Sequence, residues 1–415
     1  MNNKILSVSI AAYNVEKYLD KTLLSLVESD DIVKKLDVII VDDGSIDGTA
    51  KIANRYVDLY PYSFRLVKKE NGGYGSTLNT SVQLAVGKYF KMLDGDDWYD
   101  GEQLAELIEK LEKSDEDVIV SPYKRVYQGS HRSEVINRHR IEPEVRYEEE
   151  ENLDNIHAAE LTVRTALLQN NSFHITEKCA FTDDEYVFLV MLYASSYKKV
   201  LSTVYQYRIG VEGQTVSEGG RRVHWLDAGK VALSMLQRLE EARETIEIPD
   251  KKISFLYRFI QGTVDFQCDN YTYAENMNLC EQRFVEFSHM LYTIDDKFES
   301  YLLQESDNYR WWKWIFSVCN QNREKTFVVF GAGKYGEKIC RCLMDKHIRL
   351  CGIVDNNPTL WGTEKWNVPV CQPQILEEHW STCSVIVSVK NHSQEIMKQL
   401  ARMGVSSDRI IAFRK

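Results

Sequence analysis

Hydrophobic and polar positions alternate between two periods over the first 125 residues. Ile5–Ala11 is an apolar run that reads as a strand, and Leu19, Leu23, Leu24 and Val27 then recur at helical spacing, with Asn14 placed to cap that helix. Asp37–Val41 reads as a buried strand, stopped by Asp42-Asp43-Gly44-Ser45. A helix from Thr49 to Tyr60, a strand Phe64–Val67, a loop at Asn71-Gly72-Gly73 and a helix Ser76–Val86 follow. The strand Tyr89–Leu93 runs into Asp94-Gly95-Asp96-Asp97, and a helix over 102–113 and a strand Asp117–Ser121 complete the run. Strands separated by single helices predict an α/β fold with a doubly wound, mostly parallel sheet. Such sheets bind ligands at the carboxyl ends of their strands, where the acidic and glycine-rich clusters fall.

Residues 130–157 are charged and aperiodic, with an acidic run from Glu148 to Glu151, and read as a loop or edge hairpin. Helical periodicity returns near 155–170 and 184–195, and residues 222–320 are mainly helical. At Thr326 the alternation restarts: strand 326–330, glycine loop, helix 334–346, strand 350–354, then strand 384–389, helix 393–403 and strand 409–413. Three segments result: a first α/β domain over 1–220, a helical connector over 221–322 and a small α/β domain over 323–415.

Composition adds exclusions. The chain of 415 residues is 44% hydrophobic and 27% charged, which is globular. Its net charge of −11 argues against a general nucleic-acid binder. Residues 325–415 hold 13 Lys+Arg against 8 Asp+Glu, so the acidic excess lies before them and sets the last segment apart. The nine cysteines are odd in number and contain no CxxC, which favours reduced buried thiols over a disulfide framework or a zinc site. No apolar run reaches the ~18 residues of a membrane span. Met1 to Ala12 is read as leading into a first strand rather than as a leader peptide.

The strongest chemical signal is Asp94-Gly95-Asp96-Asp97. Alternate residues of a strand share a face, so Asp94 and Asp96 can converge. Carboxylates gathered at one point call for a cation, and Mg²⁺ or Mn²⁺ suits oxygen ligands. An exposed Asp-rich turn explains the same residues, and residue chemistry alone leaves both readings open. Asp42-Asp43-Gly44-Ser45 reads as an Asx-turn that could also accept hydrogen bonds from a base or ribose. Phe181-Thr182-Asp183-Asp184-Glu185-Tyr186 opens a helix with the T-x-x-E spacing of a capping box. A helix N-terminus also keeps a carboxylate ionised, as a general base requires.

Together, SVSIAAYNVEKYLDKTLLSL, VIIVDDGSIDGTAKIA and ENGGYGSTLNTSVQLAVGKYFKMLDGDDWYD resemble the family 2 glycosyltransferases of the GT-A fold, over about residues 5–125. The resemblance implies that the first loop, with Ala12 and Tyr13, and the second, with Asp42 and Asp43, hold the donor nucleotide: Tyr13 against the base and Asp43 on its ring N–H. It implies that Asp94, Gly95 and Asp96, with Asp97 adjacent, hold the donor diphosphate through Mg²⁺ or Mn²⁺, Asp96 being the first choice for direct ligation. It puts Asp183 in the role of catalytic base, with Asp184 in reserve, although Thr182 stands where many members have Glu. The segment Tyr207-Arg208-Ile209-Gly210 with Glu212 to Ser217 resembles the end of the catalytic domain in a bacterial subgroup. That brings His157, Arg208 and Gln214 forward as diphosphate or acceptor contacts.

In the last segment, Gly331-x-Gly333-x-x-Gly336 follows a strand and opens a helix, and Asp355 ends the next strand. This is the context of a dinucleotide fingerprint, and equally of a module that keeps the fold with an empty or regulatory site. The stretch resembles small Rossmann-like nucleotide-sugar or coenzyme domains appended to sugar-modifying enzymes, and the absence of a Tyr-x-x-x-Lys pair leaves reductase chemistry unsupported. Arg310-Trp311-Trp312-Lys313-Trp314-Ile315-Phe316 suits packing between the helical and last segments, or a membrane interface. The expectation is an inverting, metal-dependent transferase. It would move a sugar from a nucleotide-sugar, UDP-linked for preference, to a glycan or lipid-linked acceptor in surface-polysaccharide assembly. It would work in the cytoplasm or at the inner membrane face, a homo-oligomer being compatible. The alternatives are a non-catalytic binding protein on a transferase scaffold, and a bifunctional enzyme with an NAD-linked C-terminal activity.

Overall fold

The computed structural model describes residues 4–130, 132–137, 145–146, 156–171, 173–210, 215, 217–389 and 393–413. The chain divides into two compact units, Met1–Val264 and Asp265–Lys415. The helices of 221–322 fall in both, with the division inside the helix Asp250–Asn270.

In the first unit the strands are β1 (Leu6–Ala12), β2 (Leu36–Asp42), β3 (Phe64–Lys68), β4 (Tyr89–Asp94), β5 (Trp98–Tyr99), β6 (Val118–Val120), β7 (Tyr123–Tyr127), β8 (Ser133–Ile136), β9 (Val145–Arg146), β10 (Leu161–Arg164), β11 (Ser196–Lys199) and β12 (Tyr205–Ile209). Its helices include α1 (Leu19–Leu24), α2 (Asp30–Lys35), α3 (Thr49–Leu59), α4 (Tyr74–Leu84), α5 (Gly101–Lys113), α6 (Thr165–Asn170) and α7 (Thr182–Tyr193). The main sheet has the order β3-β2-β1-β4-β10-β6-β11-β9. β1 to β4 are mutually parallel, as strand–helix alternation requires. Every residue of β2 is buried, and Val38–Val41 forms an unbroken apolar run between Asp37 and Asp42.

Two expectations change. Residues 155–170 carry a helical pattern, yet Leu161–Arg164 is a strand, antiparallel to both β4 and β6. Leu161 and Val163 alternate with polar neighbours and fill the slot between those strands, so tertiary pairing overrides local period. Helix returns only at α6. A second sheet, β5-β12-β7-β8, was not legible either, because its strands are short and part-polar.

Lys91 stands in the middle of β4 with 0% exposure, and its Nζ donates to the carbonyls of Ala159 (2.7 Å) and Leu161 (3.0 Å). It therefore pins the turn before β10 to the central strand. Burial pushes its pKa down to about 7, against a smaller opposing pull from Glu160.

In the second unit β13 (Thr326–Phe330), β14 (Arg349–Val354), β15 (Thr363–Lys365), β16 (Val368–Cys371), β17 (Ser384–Val387) and β18 (Ile410–Ala412) form a sheet of order β15-β16-β14-β13-β17-β18. All pairs but β15–β16 are parallel. Val328, Phe330, Val354, Val385 and Leu400 are core residues on one side of it. The aromatic patch belongs to the helix Asp307–Gln321, where Trp311 and Trp312 are 1% exposed. The Trp312 indole donates to the Cys268 carbonyl at 2.8 Å, and Trp311 meets Tyr335 at 5.0 Å. Trp311 and Trp312 are thus core residues, which removes them from any membrane face. All nine cysteines are free thiols. Among the described residues no helix is long and apolar enough to cross a membrane.

The Lys91 geometry has a pH signature. Between about pH 7 and 10 the unfolded chain binds the proton that folded Lys91 has shed, so wild-type stability gains with rising pH across that window. The stability of wild type relative to Lys91→Met should rise from pH 7 to 9.5, by up to about 1.4 kcal/mol per pH unit. Chemical denaturation at three pH values reads it, and a flat difference would contradict a desolvated ammonium.

Candidate active site

The parallel register sets Ala12 opposite Asp42 and Ala11 opposite Asp94, so the loops after β1, β2 and β4 open at one edge of the sheet. Tyr13 is 52% exposed there. Asn14 does not cap α1. It adopts a positive φ of 52°, and its Oδ1 accepts from Ile46 N at 2.9 Å while its own N–H donates to Ser45 Oγ at 3.0 Å. Asn14 thereby joins the first loop to the second. Asp42 forms the expected Asx-turn, its Oδ1 accepting from Ser45 N at 2.9 Å. The Asp43 carboxylate accepts from Gly72 N (2.9 Å), Gly73 N (2.8 Å) and Lys69 Nζ (2.8 Å). Three of its roughly four acceptor positions are filled by the chain itself, which anchors the glycine loop before α4.

The acidic turn after β4 splits by direction. Asp97 is 0% exposed: its Oδ1 accepts from Arg208 N at 2.7 Å, its Oδ2 meets the Tyr205 hydroxyl at 2.8 Å, and its carbonyl accepts from Thr22 Oγ1 at 2.6 Å. The metal role assigned to Asp97 is therefore corrected, since its carboxylate points into the protein and holds β12 to the turn. Asp94 receives the Tyr205 hydroxyl on Oδ2 at 3.1 Å. Burial, then the neighbouring charge of Asp96, push its pKa up to about 7. Asp96 is raised by burial as well, and the Arg208 guanidinium opposes this. Arg208 lies over the rings of Tyr18 (4.9 Å) and Trp98 (4.8 Å), with Nε donating to the Asp96 carbonyl at 2.6 Å.

Among the described residues no group of three or more His, Cys, Asp or Glu side chains is arranged to hold a metal. Asp94 and Asp96 remain as a pair of half-buried, mutually repelling oxygen donors. That fits a divalent ion of the Mg²⁺ class, which takes one or two carboxylates and completes its shell from water and phosphate.

α7 brings Asp183 and Asp184 to the same unit's edge. The expected capping box does not form. Phe181 precedes the helix in the left-handed region (φ 63°), and the Thr182 hydroxyl is buried without a partner. Glu185, 0% exposed, turns to Thr176 N (2.8 Å), Thr176 Oγ1 (3.0 Å) and Ser234 Oγ (2.5 Å) instead. The segment before α7 is tied to α4 by paired bonds between Asn79 and Ile175, at 2.8 and 2.9 Å. The charge of Asp183 acts on Asp94, Tyr74 and Tyr207, all facing the acidic turn. Asp184 is pushed up to about 8 by burial and then by Asp183. The electrostatic neighbours of the two carboxylates therefore distinguish them.

His157 caps the turn Ala158–Glu160: its Nδ1 accepts from Ala159 N at 3.2 Å, and its ring stacks on Tyr123 at 5.0 Å. Gln214 lies outside the described residues. Tyr74, Lys91, Thr22 and Tyr205 were missed from sequence. Alternation in Tyr205-Gln206-Tyr207-Arg208-Ile209 was the available signal for a strand delivering Tyr205 and Arg208.

In the second unit Gly331 has φ 109°, and a Cβ on Gly336 would collide with the Gly331 carbonyl, so both positions need glycine. Gly333, by contrast, faces open space. Asp355 accepts from Ala332 N at 2.7 Å and Asn357 N at 2.8 Å, so it braces the glycine loop.

Residues 7–174 match the family model described as Glycosyl transferase family 2, and residues 323–411 match one described as C2185-like, N-terminal. An uncharacterized glycosyltransferase of Mycoplasma pneumoniae, the MG060 homolog, is 33% identical over 124 residues, 29% of this chain and 42% of that protein. The poly(ribitol-phosphate) beta-N-acetylglucosaminyltransferase TarS of Staphylococcus aureus is 26% identical over 213 residues, 51% of this chain and 36% of that one. The chain spans less than half the length of the curated relatives it matches. A crystal structure of S. aureus TarS 1-349 in complex with UDP-GlcNAc overlays with a TM-score of 0.48 at 19% identity, covering 71% of this chain and 92% of that one.

Two substitutions test the geometry. Asp97→Ala removes the acceptor of Arg208 N, leaves the Tyr205 hydroxyl only its longer bond to Asp94, and should destabilise the first unit by about 2–4 kcal/mol in urea melts. Gly336→Ala should destabilise the second unit where Gly333→Ala is tolerated, with a melt resolving both transitions as the readout. The stretch similar to glycosyl transferase family 2, residues 7–174, takes in β1 from Ser7 onward, β2 to β4 and the acidic turn.

Proposed function

We propose that the chain is an inverting, metal-dependent glycosyltransferase that moves a sugar from a nucleotide-sugar, UDP-linked for preference, to a hydroxyl of a glycan or lipid-linked acceptor. The reading is supported by the Asp94–Asp96 pair at the end of β4, with Asp94 within reach of the charge of Asp183. The name of the TarS relative, a poly(ribitol-phosphate) beta-N-acetylglucosaminyltransferase, supports an N-acetylglucosamine donor and a polyol-phosphate acceptor.

On this reading Ala12, Tyr13, Asp42 and Asp43 form the nucleotide side, with the exposed Tyr13 ring free to lie against a base. A divalent cation at Asp94 and Asp96 would supply positive charge against the leaving diphosphate. Asp183 takes the proton of the acceptor hydroxyl as its oxygen bonds to the anomeric carbon. The bond from that carbon to the diphosphate oxygen breaks, and its electron pair leaves with the nucleoside diphosphate. Attack from the face opposite the leaving group inverts the carbon. Arg208 holds the turn carrying Asp96 and adds positive charge beside it. Asp184, held largely protonated at neutral pH by burial and by Asp183, is the weaker candidate for base. Residues 323–415 are read as a nucleotide-binding module, with phosphate against Gly331, Gly333 and the helix starting at Lys334. The working division is a catalytic part over 1–220, a helical connector over 221–322 and this module over 323–415.

The test joins donor and metal. UDP should raise the melting temperature in Mn²⁺ and hardly at all in EDTA, and Asp96→Asn should erase that difference in a folded protein. Equal stabilisation with and without metal would count against the assignment. Asp183→Asn should bind donor normally but turn over at least ~10²-fold more slowly, Asp184→Asn much less so. The reverse order would make Asp184 the base.

A further inference from the structure

Residues 176–181, which lead into α7, form neither helix nor strand, yet two of them are held in a conformation they disfavour. Lys178 (φ 52°) and Phe181 (φ 63°) lie in the left-handed region without being glycine. Such residues stay there only where their surroundings over-determine them. Three anchors do so here. The Lys178 N–H donates to the Gly72 carbonyl at 2.6 Å. Glu185 accepts from both the N–H and the hydroxyl of Thr176. The third anchor comes from far along the chain: the Ala180 N–H donates to Asp227 Oδ2 at 3.0 Å.

Asp227 opens the helix Asp227–Thr245 and is buried. His224 Nδ1 meets the same Oδ2 at 2.9 Å, and Lys230 Nζ donates to Oδ1 at 2.7 Å. Burial opposes the charge of this carboxylate, but the bonds from Lys230, Ala180 and His224 outweigh it and hold its pKa below the ordinary value. An ionised, buried acceptor is thus aimed at one backbone N–H three residues before Asp183. Phe181 is the residue from which α7 departs. If its φ relaxed to the common negative range, the first turn would leave in another direction and carry Asp183 with it. We propose that Asp227 is a positioning residue for the base: its bond to the Ala180 N–H holds Phe181 left-handed and so fixes where the Asp183 carboxylate points. The inference rests on the reading of Asp183 as that base. It puts the brace beyond residue 220, in what the sequence reads as connector, within the same compact unit as the main sheet.

Steady-state release of UDP from UDP-GlcNAc, UDP-glucose and UDP-galactose in Mn²⁺, with water as acceptor, tests it on the full chain well below its melting temperature. Asp227→Ala removes the acceptor, whereas Asp227→Asn keeps an oxygen for the Ala180 N–H and loses the ion pair with Lys230. Asp227→Ala should lower kcat on the best donor by about 10- to 100-fold with KM within about twofold, the scale on which a small misplacement of a catalytic group acts. Asp227→Asn should recover most of that rate. Retained UDP binding shows that a variant is folded. Where Asp227→Ala fails that check, Asp227→Thr, which holds its oxygen one bond short of Ala180, carries the same expectation. A lowered melting temperature with unchanged kcat would make the brace merely structural and overturn the proposal. So would an Asn variant as slow as the Ala variant. Asp183→Asn runs beside them: if it releases UDP as fast as wild type, or if wild type releases none, the base assignment itself fails and the role of Asp227 falls with it. A slowed Asp183→Asn beside an unaffected Asp227→Ala sinks the positioning alone.

Discussion

The acidic edge depends on a carboxylate that never reaches it. Gathering Asp94, Asp96 and Asp97 within four residues creates repulsion that a solvated turn would relieve by opening. The fold holds Asp97 inward, where the Arg208 N–H and the Tyr205 hydroxyl take its two oxygens, while burial and the charges of Asp94 and Asp96 keep its carboxyl well above the usual carboxylate range. That inward anchor fixes the turn that carries Asp94 and Asp96. The same two bonds bring β12 alongside, and with it the Arg208 guanidinium beside Asp96. Removing the anchor would loosen the scaffold and the ligand pair together.

The second organising constraint is register. β1, β2 and β4 share a direction and end at one level, which makes three separate loops into one surface. Loop-to-loop bonds then set their spacing: Asn14 to Ser45 and Ile46, and Asp43 to Gly72 and Gly73. Asn14, legible as a helix cap, serves instead as a strut between loops, because α1 starts only at Leu19, with Tyr18 in the capping position.

The first 125 residues were readable because each of their main elements declares itself by local period, and the acidic loops fall where such a sheet must bind ligands. What was hidden depends on distant partners. Leu161–Arg164 looks helical until β4 and β6 are in place on either side of it. Thr182 and Glu185 have capping-box spacing, yet Thr176 and Ser234 outcompete the helix's own N-terminus for the Glu185 carboxylate. Among three adjacent aspartates, spacing cannot say which one turns inward. That choice is made by Tyr205, more than a hundred residues later in the chain.

The late arrival of β10 bears on how the sheet assembles. As the chain grows, β1 to β4 can form from local α/β units, but one side of β4 then stays an unpaired edge until residues 161–164 have been made. β6, although it precedes β10 in sequence, pairs with β11 and with β10 but never with β4. The first four strands are therefore joined to the rest of the sheet through a single four-residue segment, and closing that seam is a long-range step of the slow kind. A fragment cut where the acidic motifs end would keep the chemistry-bearing loops and expose a sticky strand beside them. Such a fragment should partition toward association with its own kind, and because β6 waits for β11 and the acidic turn waits for Tyr205 and Arg208, the boundary of an autonomous piece lies beyond β12.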